Sequence, residues 1–229
     1  MQSFFTNPAT HIGDEGQLHL WAMASPLIRE ALHPFALACE PFPFLGLQPA
    51  ADLHATVLRL APADGDPGAF VDTFTHEAGG IGPLSIPLGW PIIANNSVIC
   101  VGEHTQQWDA FVAAARRASV AAFGEDAAPY EAPFGPHVTV AYGVGQGQDA
   151  PVEDELARVK AKILAERGES LANECGCACD GEQEAPAQEP LAQIEITSVV
   201  LARVFQDREA GTYTAQILAD VPLPGMREG

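Results

Sequence analysis

Positive charge is scarce in this sequence of 229 residues. It contains 11 Lys+Arg against 30 Asp+Glu, a formal net charge of −19, and its two lysines are Lys160 and Lys162. A surface this acidic repels the phosphate backbone of nucleic acids at long range. We therefore expect no extended nucleic-acid partner, although a small pocket can still bind a single phosphate.

Long hydrophobic runs are also lacking. No stretch of about 18 apolar residues occurs, so the sequence predicts no membrane-spanning helix and no membrane partner. The first residues have neither a basic head nor an apolar stretch of signal-peptide length, and we expect a cytoplasmic protein and a monomer. The five cysteines, an odd number, argue against a secreted disulfide framework.

The residues that are present have the composition of a folded globular chain, with 47% hydrophobic and 18% charged residues. A chain of this length can bury a real core. We interpret residues 1–16 as an N-terminal arm and residues 17–224 as one domain. Within the domain, residues at about 168–190 are acidic, bear cysteines and hold few apolar residues, which predicts a flexible insertion.

Strand and helix patterns alternate along the domain. The predicted strands cover 17–24, 53–60, 82–90, 96–102, 136–142, 193–204 and 212–221. The predicted helices begin at Pro26, where Pro34 should end or kink the first, and cover 67–78, 106–123 and 152–167. A turn at 94–96 and a closing hairpin favour antiparallel pairing, so the sequence predicts an α+β fold rather than a parallel sheet.

A His-x-Thr motif occurs in two of the predicted strands. The first is His54-Ala55-Thr56 and the second is His137-Val138-Thr139. Residues i and i+2 of a strand project from the same face, so each motif places an imidazole beside a hydroxyl. The repetition suggests two similar lobes that meet at a cleft and supply one motif each.

Two imidazoles and two hydroxyls around one small volume suit a phosphodiester. A neutral histidine can take a proton from water or a hydroxyl, while a protonated histidine opposite gives one to the leaving oxygen. The ordinary pKa of histidine, about 6.5, lets both forms coexist near neutral pH. Threonine hydroxyls can donate hydrogen bonds to the non-bridging oxygens of the transition state. This arrangement requires no metal and no cofactor.

Three further residues are candidates for substrate contact. Trp90 and Tyr142 can stack on a base, and Arg203 can pair with a phosphate. Strict alternation along a strand, however, turns Tyr142 and Arg59 away from the motif residues of their strands.

Cys175, Cys177 and Cys179 form a cluster in the acidic insertion. Thiolates bind soft metals such as zinc or copper(I), but a closed zinc site takes four ligands and no further Cys or His lies nearby in the sequence. We interpret the cluster as exposed thiols in a loop, with a metal site as the alternative.

The two motif segments resemble a known family of enzymes. Leu53-His54-Ala55-Thr56-Val57 and Phe134-Gly135-Pro136-His137-Val138-Thr139-Val140-Ala141 are similar to the paired signatures of the two-histidine (2H) phosphoesterase superfamily. Within it, the nearest group is the 2′-5′ RNA ligases, also called RNA 2′,3′-cyclic phosphodiesterases. The aromatic-x-Pro lead into the second motif and the closing hairpin, which starts near Ile194, are typical of that group. The resemblance covers about residues 17–224.

The resemblance implies a bilobed fold, with two antiparallel sheets and flanking helices related by a pseudo-twofold axis around a central cleft. It implies metal-independent hydrolysis of a 2′,3′-cyclic phosphate, with His54 and His137 as acid and base. Thr56 and Thr139 then contact the phosphate, and which histidine is the base stays open. The scarcity of Lys and Arg and the cysteine-bearing insertion depart from the family pattern, so the expected partner is a small cyclic nucleotide or a short RNA end. The alternatives are 2′-5′ ligation or cleavage on short oligonucleotides, and non-catalytic nucleotide binding.

Overall fold

The computed structural model of the chain describes residues 1–7, 11–60, 66–125, 135–168 and 189–223. These residues form four α-helices and ten strands. The helices are α1 (Pro26–Cys39), α2 (Pro67–Glu77), α3 (Gln106–Phe123) and α4 (Ala150–Arg167). The strands are β1 (Gln17–Met23), β2 (Leu45–Leu47), β3 (His54–Arg59), β4 (Leu84–Leu88), β5 (Ile92–Ala94), β6 (Ser97–Val101), β7 (His137–Gly143), β8 (Ala192–Ile196), β9 (Ser198–Asp207) and β10 (Thr212–Pro222). The predicted cysteine cluster and nearly all of the predicted insertion lie outside the described residues.

The strands form two antiparallel sheets. The larger sheet has eight strands, in the order β10-β9-β1-β3-β7-β6-β5, with β2 added beside β7. Strands β4 and β8 form the second sheet. Antiparallel pairing throughout, combined with helices, makes this an α+β fold and confirms the predicted fold class. The pseudo-twofold axis stays a prediction.

The larger sheet has one face covered by helices. Alternate residues of its strands, such as Leu18 and Leu20 of β1, pack into one buried cluster with Ile28 of α1 and Phe111 of α3. Intervening residues of the same strands, such as Trp21, belong to a separate cluster. Since successive side chains of a strand point to opposite faces, the helices cover the first face and leave the second for the site described below. None of the helices within the described ranges is both long and apolar enough to cross a bilayer.

The helix ends follow the capping residues of the sequence. Ser25 Oγ accepts a hydrogen bond from the Ile28 amide at 3.4 Å, at the start of α1. Thr105 Oγ1 accepts one from the Trp108 amide at 3.1 Å, and α3 ends at Gly124, whose φ of 93° favours glycine. The predicted helix over 106–123 is confirmed.

Two predicted boundaries differ from the structure. Pro34 does not end α1, which continues to Cys39, because the residues after Pro34 bury Phe35, Ala38 and Cys39. Burying a phenylalanine side chain stabilises by about 1.5–3 kcal/mol, and the burial of Ala38 and Cys39 adds to it, so that together they offset the cost of about 3 kcal/mol for a proline inside a helix. The predicted strand over 193–204 is divided at Thr197: β8 pairs with β4 in the small sheet, whereas β9 pairs with β1 in the large one.

Candidate active site

The two His-x-Thr motifs lie side by side in the larger sheet. Strands β3 and β7 are neighbours, and Ala55 is paired with Val138. These are the middle residues of the two motifs. In an antiparallel pair, the residues that flank such a contact lie opposite each other, so the histidine of each motif lies beside the threonine of the other. All four side chains therefore project from the face that the helices leave uncovered.

A cavity of about 410 Å³ opens on this face. His54, Thr56 and His137 line it, and each is half-buried. Thr139 is 9% exposed and is hydrogen-bonded to Tyr142. The remaining walls are mainly aromatic and aliphatic and include Phe4, Trp21, Ile99, Val101, Tyr142 and Tyr213. Three of the four motif side chains thus line one concave, largely apolar cavity, the kind of place where proteins bind small ligands, whereas Thr139 is not among the residues that line it.

Each histidine ring is oriented by a main-chain carbonyl two residues before it. His54 Nδ1 lies 2.7 Å from the Asp52 carbonyl oxygen, and His137 Nδ1 makes a longer contact of 3.5 Å with that of Gly135. A neutral ring nitrogen that faces a carbonyl carries the proton, so the lone pair is on Nε2 in both rings. Both Nε2 atoms can therefore accept a proton, and each can return it once protonated.

The indole of Trp21 fixes the plane of the His54 ring. The two rings are stacked, with centroids 3.6 Å apart and an interplanar angle of 14°. Trp21 is itself 1% exposed, and its Nε1–H donates a hydrogen bond to His19 Nδ1 at 3.2 Å. His54 is thus held by a main-chain acceptor at one edge and by a buried aromatic face.

Burial disfavours the charged form of both motif histidines. It lowers the pKa of His54 to about 4; the Asp52 carbonyl opposes this shift and the nearby His137 adds to it. Burial also lowers the pKa of His137, opposed by the Gly135 carbonyl and assisted by the positive charge of Arg59. Both rings are therefore neutral near neutral pH unless an anion enters the cavity and stabilises the imidazolium form.

A β-bulge in each motif strand brings one more residue to the cavity. The register of β3 against β1 shifts by one residue at Val57, and that of β7 against β6 shifts at Val140. Each extra residue resets the alternation, so Arg59 and Tyr142 join the face of the histidine five positions before them, and both line the cavity. The prediction that Arg59 and Tyr142 turn away was wrong, because it assumed regular strands. A sequence signal exists: a large polar-tipped residue stands five positions after each motif histidine.

The two other candidates for substrate contact lie elsewhere. Trp90 packs against α4, with Lys160 Nζ and Arg167 Cζ at 5.7 and 5.6 Å from its ring centroid. Arg203 is paired across strands with Leu18, which belongs to the cluster beneath the helices. Paired residues project from the same face, so Arg203 lies on the face opposite to the cavity. Neither side chain is among those that line the cavity between the motifs.

Comparison with known proteins finds solved structures that have a similar fold. No protein-family profile and no curated protein sequence matches this chain. The protein TT0787 of Thermus thermophilus matches with a TM-score of 0.62 and 15% identity, over 92% of this chain and 99% of that one. A solved phosphoesterase matches with a TM-score of 0.52 and 15% identity, over 91% and 98% of the two chains. Escherichia coli LigT complexed with NADP+ matches with a TM-score of 0.51 and 14% identity, over 91% and 98%. The chain therefore has the fold that these proteins share, along nearly its whole described length.

Proposed function

We propose that this protein is a metal-independent phosphodiesterase that opens the 2′,3′-cyclic phosphate of a small nucleotide or a short RNA end. The observation that carries the proposal is the convergence of His54, Thr56 and His137, from both His-x-Thr motifs, on one cavity, with Nδ1 of each imidazole turned to a main-chain carbonyl. Nucleotide binding by a protein of this fold supports it: Escherichia coli LigT has been solved with NADP+ and with 3′-AMP.

In the proposed reaction, Nε2 of one neutral histidine takes a proton from a water molecule as the water oxygen attacks phosphorus. The bond between phosphorus and one ribose oxygen breaks, and the second histidine, protonated, gives its proton to that oxygen. The product is a phosphomonoester beside a free hydroxyl. Thr56 and Thr139 donate hydrogen bonds to the non-bridging oxygens, where negative charge increases in the transition state.

The negative charge of the substrate promotes protonation of one of the two histidines. The motif histidines are neutral without an anion, but the negative charge of a cyclic phosphate between them raises the pKa of the nearer imidazole. One ring then binds a proton while the other keeps its lone pair. The binding of an anionic substrate thus produces the acid–base pair that the reaction requires.

The test is hydrolysis of adenosine 2′,3′-cyclic phosphate in the presence of EDTA. We expect turnover by the wild type and a loss of about a thousandfold or more in kcat for both His54→Ala and His137→Ala, since the two rings act as a unit. His104→Ala is the matched control, because His104 is an exposed histidine that pairs with Asp109 at 2.5 Å and does not line the cavity.

Thermal melting checks that each variant is folded. Full activity in either motif variant would refute the proposed roles. Binding of the cyclic nucleotide by the wild type without turnover would instead favour a non-catalytic nucleotide-binding protein, and turnover of 2′-5′ oligonucleotides alone would favour the ligase-like chemistry.

A further inference from the structure

The N-terminal arm forms part of the wall of the cavity. Its first residues contain one turn of 3₁₀ helix, Phe4–Thr6, which packs on the face of the larger sheet that the helices leave uncovered. Phe5 is 5% exposed and belongs to the same buried cluster as Trp21. Ile12, from the later part of the arm, is buried in that cluster as well. The arm therefore covers part of the open face, and it brings the side chain of Phe4 to the cavity.

The larger sheet and its turns provide a fitted position for the arm. The Gln2 amide donates a hydrogen bond to Asn96 Oδ1 at 2.9 Å, and the Gly147 amide donates one to the Met1 carbonyl at 3.2 Å. Gly143, the last residue of β7, has no side chain where the arm crosses it, and a Cβ there would overlap the Gln2 carbonyl oxygen. These contacts hold the arm against the end of the second motif strand.

Phe4 presents an aromatic surface to the cavity. Its ring packs against that of Tyr142, with centroids 4.6 Å apart and an interplanar angle of 44°. Phe4 is only half-buried and lines the cavity, so part of its ring surface is accessible to a ligand. Tyr142 is in turn hydrogen-bonded to Thr139. A single side chain thus links Phe4 to the second motif.

The turn that holds the arm also brings an amide to the cavity. Asn95 and Asn96 connect β5 to β6 with φ values of 50° and 61°, a conformation in which asparagine is enriched. Asn96 binds the arm, whereas Asn95 lines the cavity. A carboxamide can both donate and accept hydrogen bonds, as the edge of a nucleobase can. An aromatic surface together with such an amide is the combination that recognises an unpaired base.

We propose that Phe4 is a specificity-determining residue that stacks on the base of the substrate, so that the N-terminal arm makes the enzyme selective for cyclic phosphates that bear a base. The inference rests on the proposed function and specifies its substrate class. In a 2′,3′-cyclic nucleotide the base is attached to C1′, which is bonded to the C2′ that carries one of the phosphate oxygens. A phosphate held by the motifs therefore keeps the base close to a neighbouring wall. Every base has a π-face, so stacking favours any base over an aliphatic group at C1′.

The deciding experiment compares adenosine 2′,3′-cyclic phosphate with methyl riboside 2′,3′-cyclic phosphate, which carries a methoxy group in place of the base. We expect the wild type to prefer the adenosine compound by about tenfold or more in kcat/KM. Phe4→Leu keeps an apolar side chain but removes the aromatic surface, and it should reduce this preference by about fivefold or more. Phe4→Trp supplies another aromatic surface and should keep the preference.

Phe42→Leu is the matched control. Phe42 is also a half-buried phenylalanine, but it packs against the cluster beneath the helices and does not line the cavity. The control should leave the preference unchanged, and thermal melting checks that all three variants are folded. An unchanged preference in Phe4→Leu would overturn the inference, and so would equal kcat/KM values of the wild type for the two substrates. Equal losses of preference in Phe4→Leu and Phe42→Leu would also contradict it, because they would reflect a general change in packing.

If the wild type hydrolyses neither substrate, the proposed function fails, and calorimetry still decides the role of Phe4. Adenosine 2′-phosphate should then bind at least about tenfold more tightly than methyl riboside 2′-phosphate, and Phe4→Leu should remove most of the difference. Equal affinities of the wild type for the two compounds would overturn the inference independently of catalysis.

Discussion

At His54, three neighbours determine how readily the ring takes a proton. The Asp52 carbonyl favours the imidazolium, while burial beneath Trp21 and the proximity of His137 oppose it. Burial is the largest of these effects, and it sets the pKa at about 4. Burial also lowers the pKa of His137, where the Gly135 carbonyl opposes the shift and the charge of Arg59 adds to it. The protonation state of the site therefore depends on what occupies the cavity.

Anion binding should consequently take up protons. An anion between the rings raises the imidazole pKa above its value in the free protein, so at any pH between the two values the complex holds more protons than its separate components. We expect the affinity for sulfate, which does not itself titrate in this range, to rise by up to about tenfold per unit as the pH falls from about 7 to about 5, towards the pKa of about 4 that His54 has in the free protein. Isothermal calorimetry at about pH 6, in two buffers with different ionisation heats, measures the uptake directly.

The control for proton uptake is a double variant, His54→Gln with His137→Gln, which keeps polar side chains but removes both titrating rings. Its sulfate affinity should be nearly constant with pH. Identical heats in the two buffers for the wild type would contradict the prediction, since they would mean that the histidines do not change protonation when the anion binds.

At the scale of elements, regular patterns of sequence predicted regular structure. Alternation located β1, β3 and β7, and the spacing of apolar residues between Thr105 and Gly124 located α3. Two bulges and one continued helix did not follow from such patterns, because each depends on tertiary contacts. The candidate site shows the same division. The motif residues were predicted because their spacing of two is a strand property, whereas Arg59 reaches the cavity only through a local irregularity.

Helix α3 packs against the motif strand β3, and its buried face includes Trp108 and Phe111. Its first turn depends on Thr105, whose hydroxyl accepts the Trp108 amide. We expect Thr105→Ala to lower the free energy of unfolding by about 1 kcal/mol, because that amide loses its acceptor at the N-cap. Urea denaturation of the two proteins measures the difference.

Thr73→Ala provides the comparison for this cap. Thr73 lies inside α2, and its hydroxyl donates to the Ala69 carbonyl, which is already part of the helix. Alanine has the higher helix propensity, so stability should change by less than about 0.5 kcal/mol. Equal destabilisation in both variants would show that the hydroxyl of Thr105 has no specific capping role.

The whole molecule combines a strong negative charge with a small cavity for which we propose an anionic substrate. The net charge of −19 repels a polyanion at distances where the individual donors of the cavity have no effect. Within the cavity, donors at hydrogen-bond distance dominate, because the interaction is short-ranged and partly shielded from solvent. We therefore expect the overall charge to disfavour long polyanionic substrates without preventing the cavity from binding the phosphate at their end.

This selection should depend on salt in the direction opposite to that of most nucleic-acid-binding proteins. Raising the ionic strength from about 10 mM to about 100 mM shortens the Debye length from about 30 to about 10 Å and screens the repulsion. We expect kcat/KM for a decanucleotide ending in a 2′,3′-cyclic phosphate to increase by about three- to tenfold over this range. The value for the cyclic mononucleotide should change little or decrease, because its few charges are held inside the cavity. A decrease for the decanucleotide with rising salt would mean that a basic surface binds its backbone.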